Sequence, residues 1–321
     1  MRLNEGHRAA RVLAFGGYQP ARVVTNDELA QTVDTNDEWI RSRVGIASRR
    51  IAGPDETVAD MAVQAGGKAL AASGLTAADI DLVIVATCTQ ETQIPNAAAA
   101  VARRLGIMSP GAYDLNAACA GFCYGLANAA DAVRGGTATN VLVIGAEKLS
   151  QWVDWTDRST CIIFADGAGA AVVGPAGPDD DAGIGPVFWG SDGSMADKIC
   201  VADRNSYIAQ EGQTVFRWTT GELPAVALEA CARAGVDPTE LGVFVPHQAN
   251  LRIVEAVARK LKAPQAVVAT DIVTAGNTSS ASIPLALSRM IERGEVESGQ
   301  YALLVGFGAG MCYAAQVIKV P

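Results

Sequence analysis

The chain repeats itself at a constant offset, and that repeat constrains the fold more than any other feature. Gly74-Leu75, Ile80 and Leu82-Val83-Ile84-Val85 recur as Gly235-Val236, Leu241 and Val243-Phe244-Val245-Pro246, 161 residues further on. Asn140–Gly145 falls on Tyr301–Gly306, and Asn116–Cys119 on Asn277–Ser280, at the same offset of 161. Three coincident matches over half the chain imply a duplicated unit. In the first copy, helical patterns at Thr57–Ser73 and Asn96–Leu105 flank the continuous apolar run Leu82–Thr87, which suits a strand covered on both faces. Such alternation predicts α/β halves with mostly parallel sheets. Gly174–Gly185 is rich in Gly, Pro and Asp, a linker composition, so the halves are expected at 1–174 and 185–321 with 175–184 between them.

The duplication carries a geometric expectation. If the halves pair about a pseudo-twofold axis, the loops after Val85, Ala118, Val245 and Thr278 converge between them. Cys119 then faces Pro246-His247-Gln248-Ala249-Asn250 and Ala275-Gly276-Asn277-Thr278. Downstream of Cys119, the spacing of Phe122, Leu126, Ala129, Ala130 and Val133 fits one helical face. That places the thiol at a helix N-terminus, where unpaired N–H groups favour the thiolate and predict a lowered pKa. The same cysteine read alone is equally a small buried hydrophobe, a lone histidine after a strand is commonly structural, and Asn in Gly-Asn-Thr is commonly a turn former. Their convergence favours the catalytic reading.

Composition excludes several other classes. A net charge of −9 argues against nonspecific nucleic-acid binding. His7 and His247 are the two histidines, and the seven cysteines lack zinc-ligand spacing, so no metal site is expected. The cysteines are odd in number, scattered and without a C-x-x-C, as in a reducing compartment, and a cytoplasmic protein is predicted. The first ten residues have no apolar core and no run approaches a membrane span, so neither export nor anchoring is expected. Gly306–Gly310 is glycine-rich, but Met311–Val320 after it reads as a strand, so no nicotinamide or flavin is implied. Asp34–Ile46 sets Trp39 among arginines, either an ordinary amphipathic helix or a grip on a nucleotide.

A set of motifs in fixed order identifies a family. They are Asp34-Thr35…Trp39-Ile40, Ala117-Ala118-Cys119-Ala120-Gly121-Phe122, Thr156-Asp157-Arg158, Asp166–Ala170, His247–Arg252, Gly276–Pro284 and Gly306–Gly310. With these the chain resembles, essentially end to end, 3-oxoacyl-(acyl carrier protein) synthase III of the thiolase-like superfamily. The resemblance implies a five-layered αβαβα sandwich of two duplicated halves, normally a homodimer. It implies an initiating ketosynthase of fatty-acid or polyketide synthesis, with no cofactor beyond the coenzyme A thioester it uses as substrate. Cys119 would take a short acyl group from acyl-CoA, and His247 and Asn277 would stabilise the enolate formed when malonyl-acyl carrier protein loses CO2. The backbone N–H groups of Cys119 and Ala309 would hold the tetrahedral oxyanion, with Ala309 standing where the commoner pattern has Gly.

For substrate binding, the resemblance implies that Trp39 and Arg158 clamp the adenine of coenzyme A. Arg43, Asn250 and Arg252 would meet its phosphates and pantetheine arm. Gln248, Ala249, Asn250, Leu251 and Arg252, with the basic residues Arg217, Arg259 and Lys260, would dock the acidic acyl carrier protein. Ile94 from the partner subunit, with Leu149 and Phe164, would bound the acyl pocket. Two rivals remain: a same-fold acyltransferase acting on an alcohol or amine, and a noncatalytic ketosynthase partner subunit. Asn277 beside His247 argues against the first and Cys119 against the second.

Overall fold

The computed structural model describes residues 6–7, 9–177, 183–203 and 205–321. Among these, two five-stranded sheets dominate. The first contains β1 (Ala10–Tyr18), β2 (Leu82–Ala86), β3 (Gly111–Leu115), β4 (Val141–Lys148) and β5 (Asp166–Pro175). The second contains β6 (Phe188–Gly190), β7 (Leu241–Pro246), β8 (Val267–Val268), β9 (Tyr301–Gly308) and β10 (Cys312–Lys319). Their orders are β1-β5-β4-β2-β3 and β6-β10-β9-β7-β8, the same strand for strand.

The expectation of mostly parallel sheets needs correction. β2 lies parallel to β3 and β4, and β7 to β8 and β9, but β5 runs antiparallel to both its neighbours and so does β10. The reason is the connection. A parallel return needs a crossover helix, whereas β9 turns into β10 through the short Ala309–Met311 turn, and the β4–β5 link holds no α-helix.

Apolar side chains sort into three sheets of core, which is what makes the sandwich five-layered. Between the β-sheets, Phe122, Leu126 and Val133 of helix Gly121–Arg134 and Ile283 and Leu287 of helix Ser282–Glu292 meet Ile84, Val143, Val245 and Leu304. Outside the first sheet, helices Val58–Ser73 and Ala97–Arg104 bury Met61, Ala65 and Val101 on Val83, Val85 and Leu142. Outside the second, helices Gly212–Ala234 and Leu251–Leu261 bury Leu223, Ala227, Val257 and Leu261 on Phe244 and Leu303.

Local signals set the helix ends. Thr57 and Asp60 form a reciprocal capping box, and the helix stops at Gly74 in the left-handed region (φ 74°). Its counterpart stops at Gly235 (φ 67°), at the repeat offset. A fourth cluster, including Leu29, Ile40, Leu149, Ile162 and Phe164, carries helix Asp37–Val44 beside the inter-half cleft. Fully buried Arg49 pins it by donating to Val24 O, Asn26 Oδ1 and Ile162 O.

Of the predicted linker 175–184, residues 178–182 lie outside the described residues. Pro175 belongs to β5 and Ile184 bridges Ile318. Those two ends are therefore held in sheet structure, not in a free tether. Among the described residues no helix is long and apolar enough to cross a membrane.

Candidate active site

A cavity of about 900 Å³ opens between the halves, lined by Cys119, His247, Asn277, Phe307, Gly308 and Ala309 at its base. Cys119 sits in a 3-10 turn, Ala118–Ala120, that runs into helix Gly121–Arg134. Asn116 Oδ1 accepts the Ala118 N–H at 3.1 Å, and Ala118 takes a positive φ of 46°. The other half repeats this turn at the 161 offset: Asn277 Oδ1 accepts the Ser279 N–H at 2.8 Å and Ser279 has φ 51°. Left-handed non-glycine residues cost about 1–3 kcal/mol each, so both turns are held by their surroundings.

The predicted low thiol pKa is overturned. Burial pushes the Cys119 thiol up to about 12, because the low-dielectric surroundings penalise a thiolate. Cys119 is thus a thiol at rest, and its proton must leave as the acyl group arrives.

His247 is 2% exposed and its ring meets Phe307 edge-on, with centroids 5.0 Å apart. Burial pushes its pKa down to about 3, so the imidazole is neutral at physiological pH. The Ser282 hydroxyl accepts the Gln248 N–H at 3.3 Å and lies 2.7 Å from His247 Nδ1. Donating its own proton to Nδ1 satisfies all three groups, which assigns the remaining imidazole proton to Nε2. On Asn277, Oδ1 is committed to the turn, so the Nδ2 N–H groups are its end available to the pocket. Gly308 packs against the nucleophile turn so tightly that a Cβ there would lie 2.6 Å from Cys119 N. The backbone leading into Ala309 is thereby held against Cys119.

At the mouth, Trp39 is flanked by Arg158 at 4.7 Å and Arg43 at 5.5 Å from its ring centroid. Arg158 also donates to Asp34 O at 2.7 Å. A spacing of 4.7 Å is that of one stacked pair, so a base entering between Trp39 and Arg158 must displace the guanidinium by about one ring thickness. Asn250 is partly committed: its Oδ1 caps helix Leu251–Leu261 through the Arg252 N–H and one Nδ2 N–H donates to Arg43 O, while the residue lines the cavity with a second N–H to offer. It also ties together the backbones that carry the two arginines.

The predicted docking set divides. Arg217, Arg252, Arg259 and Lys260 are exposed, and Lys260 ties its helix to the neighbouring one through Thr220 O. Gln248, by contrast, is 1% exposed and spends its amide on Pro246 O, Ala269 O and the Ile272 N–H, so it cannot face a partner. Leu251 fills the space left by Gly45, and Ala249 lines the pocket. Leu149 and Phe164 line the pocket wall, whereas Ile94 is 88% exposed and outside its own chain's pocket.

Sequence reasoning missed three groups at this site: Cys88 and Ser279, which line the cavity, and Glu147, fully buried behind them. A glutamate closing the otherwise apolar run Val141–Ala146 was the available signal.

Fold and cleft together define a class, the thiolase-like condensing enzymes. Family models described as 3-oxoacyl-[acyl-carrier-protein (ACP)] synthase III and its C-terminal domain match residues 113–193 and 231–320. Beta-ketoacyl-[acyl-carrier-protein] synthase III 4 of Streptomyces coelicolor is 56% identical over 98% of this chain and 100% of its own. The mycobacterial beta-ketoacyl-[acyl-carrier-protein] synthase III of Mycobacterium avium is 51% identical over 97% of this chain and 95% of its own. Among solved structures, the priming beta-ketosynthase of the R1128 polyketide pathway superposes with a TM-score of 0.96 at 44% identity, covering 100% of this chain and 98% of that one. 3-Oxoacyl-[acyl-carrier-protein] synthase III of Aquifex aeolicus gives 0.93 at 41%, covering 97% and 100%. The chain belongs to the 3-oxoacyl-[acyl-carrier-protein] synthase III family and is an acyltransferase of the condensing type.

Proposed function

We propose that this enzyme primes chain synthesis by moving a short acyl group from acyl-CoA to Cys119 and condensing it with malonyl-acyl carrier protein. One observation carries the assignment of roles: Cys119 from one half and neutral His247 and Asn277 from the other line a single cavity. The Cys119 sulfur attacks the thioester carbonyl, coenzyme A leaves with the thiol proton, and the acyl-enzyme results. Loss of CO2 from the malonyl group then develops an enolate oxygen. His247 Nε2–H and Asn277 Nδ2–H donate to it, and a neutral donor pair suits a step that consumes no acid. The carbanion attacks the acyl carbonyl, whose oxyanion the N–H groups of Cys119 and Ala309 receive, and collapse releases 3-oxoacyl-acyl carrier protein and a thiolate that takes a proton from solvent to restore the resting thiol.

Arg43, Arg158 and Trp39 take the nucleotide of coenzyme A, with Asn250 and Arg252 at the pantetheine entrance. Exposed Arg217, Arg252, Arg259 and Lys260 meet the acidic carrier protein, where charge chiefly governs encounter rate and orientation. The working form is a homodimer in which Ile94, exposed in the single chain, enters the partner's acyl pocket. Seven free cysteines suit a cytoplasmic setting.

The test separates the half-reactions. Acyl-CoA alone should add one acyl mass on the Cys119 peptide, and Cys119→Ala should carry none; label on Cys123 or Cys161 would refute the nucleophile. His247→Ala and Asn277→Ala should still take the acyl group yet lose condensation by on the order of 10²–10³. Condensation at the parent rate in either variant would remove the donor-pair assignment.

A further inference from the structure

Glu147, next to last in β4, has no exposed surface, and among the described residues it has no Lys, Arg or His partner. Six protein groups converge on it instead, among them the Cys88 thiol at 3.5 Å from either oxygen. Oε2 accepts from Thr89 Oγ1 at 2.6 Å, Thr87 Oγ1 at 3.2 Å and Cys88 N at 3.1 Å, while Oε1 lies 3.0 Å from both Ser279 Oγ and Ser280 Oγ. The first three come from the loop after β2, and the two serines come from the other half of the molecule. Glu147 is therefore a polar tie across the inter-half boundary beside the cleft.

Proton counting fixes its state. The Ser280 hydroxyl has one proton but two acceptors in reach, Glu147 Oε1 and Ala86 O at 2.8 Å. A protonated carboxyl resolves the conflict: Oε1–H donates to Ser280 Oγ, and Ser280 donates to Ala86 O. The alternative, a carboxylate with hydrogen-bond donors but no cation beside it in the interior, carries a desolvation cost and leaves the Ser280 conflict unresolved. Burial also pushes this carboxyl above its usual range.

Ser279 is the link to the chemistry. Its side chain is held by Glu147 and its N–H by Asn277 Oδ1, so the residue that aims the Asn277 carboxamide is itself aimed by Glu147. Ser279 also holds a left-handed backbone at φ 51°, a conformation that relaxes unless something retains it.

We propose that Glu147, as a neutral acid, is a positioning residue for the condensation step: it clamps the Ser279–Ser280 turn and through it orients the Asn277 amide toward the enolate. This rests on the role assigned to Asn277 above. Glutamine can take over the clamp, since its carbonyl accepts where Oε2 does and its amide donates to both serines. Alanine cannot.

The experiment measures acyl transfer to Cys119 by mass, condensation kcat, KM for malonyl-acyl carrier protein, and Tm, for the parent, Glu147→Gln and Glu147→Ala. Expected is parent-like acylation in both variants, condensation kcat within about threefold of the parent for Glu147→Gln, and a fall of ten- to a hundredfold for Glu147→Ala with KM nearly unchanged. If Glu147→Ala fails to fold, Glu147→Asp, which keeps the acid but withdraws it from the two serines by about one methylene, should show the same split. Equal loss in both half-reactions, tracking Tm, would reduce Glu147 to a folding role and overturn the proposal. So would a folded Glu147→Gln as inactive as Glu147→Ala. A parent that does not label Cys119 fails at the underlying assignment, visibly before any variant is compared.

Discussion

The two halves build the same turn and then use it oppositely. Asn116-Ala117-Ala118-Cys119 and Asn277-Thr278-Ser279-Ser280 share an Asn-closed turn, a left-handed third residue and a following helix. What differs is the residue that overlies each turn from the sheet. Over Cys119 it is Gly308; at the equivalent place 161 residues earlier stands Glu147, whose carboxyl fills the space above Ser279 and Ser280. Likewise His247 occupies the position matched by Ala86. One turn is left open to a substrate and given donors; the other is closed and hydrogen-bonded. A duplicated scaffold thus yields one reaction centre, because function needed the backbone of both turns but free space above only one.

The strongest way to break this comparison is steric. Gly308→Ala puts a Cβ 2.6 Å from Cys119 N and 2.9 Å from its Cβ, both immovable neighbours. Acylation of Cys119 should fall on the order of a hundredfold, as for loss of an oxyanion donor, while the protein still folds. Gly145→Ala strikes the other turn, with a Cβ 2.4 Å from Ser280 O. Its expected cost is stability, about 1–3 kcal/mol of overpacking read as a lower urea midpoint, with Cys119 still acylated. Similar phenotypes for the two would mean that the halves are not specialised as described.

A smaller effect comes from His247 against its non-titrating counterpart Ala86. The folded pKa of about 3 lies below the ordinary 6.5 of an unfolded chain, so protons bind the unfolded state first. The His247 contribution is complete above pH 6.5 and is lost as pH falls from there toward 3, at up to about 1.4 kcal/mol per pH unit. Urea unfolding of the parent and His247→Gln between pH 7.5 and 5 should show the difference between them shrinking with acidification. A difference independent of pH would mean that the imidazole titrates normally.

The smallest effect concerns the loops leaving the sheets. After β2 the chain runs out to exposed Ile94, whereas after β7 it turns directly into helix Leu251–Leu261. If Ile94 closes a partner's pocket, replacing it with phenylalanine removes room for about one methylene, worth about 0.8 kcal/mol or several-fold in kcat/KM. Butyryl-CoA and isobutyryl-CoA should match or beat acetyl-CoA in the parent, and Ile94→Phe should reverse that order. An unchanged order would place the end of the pocket elsewhere.

Much of this was readable from the chain alone, because it depends on short-range rules repeated twice. The 161-residue offset, the helical patterns at Thr57–Ser73 and Asn96–Leu105 and the strand run at Leu82 are local patterns, and the structure places elements at each of them. The convergence of Cys119, His247 and Asn277 on one cavity also followed, since a twofold arrangement of like units dictates which loops meet. What the sequence could not supply depends on neighbours from elsewhere in the chain. The direction of β5 is set by its pairing partners, and the ionisation of Cys119 by how much of the other half covers it, so the helix-end argument named a real effect that burial outweighs. Gln248 looks like a surface residue until the carbonyls of Pro246 and Ala269 enclose it. Glu147 reads as one acidic residue among many, and only packing of the second half shows it buried and hydrogen-bonded at the boundary, because hydrogen-bond satisfaction is a property of the assembled interior.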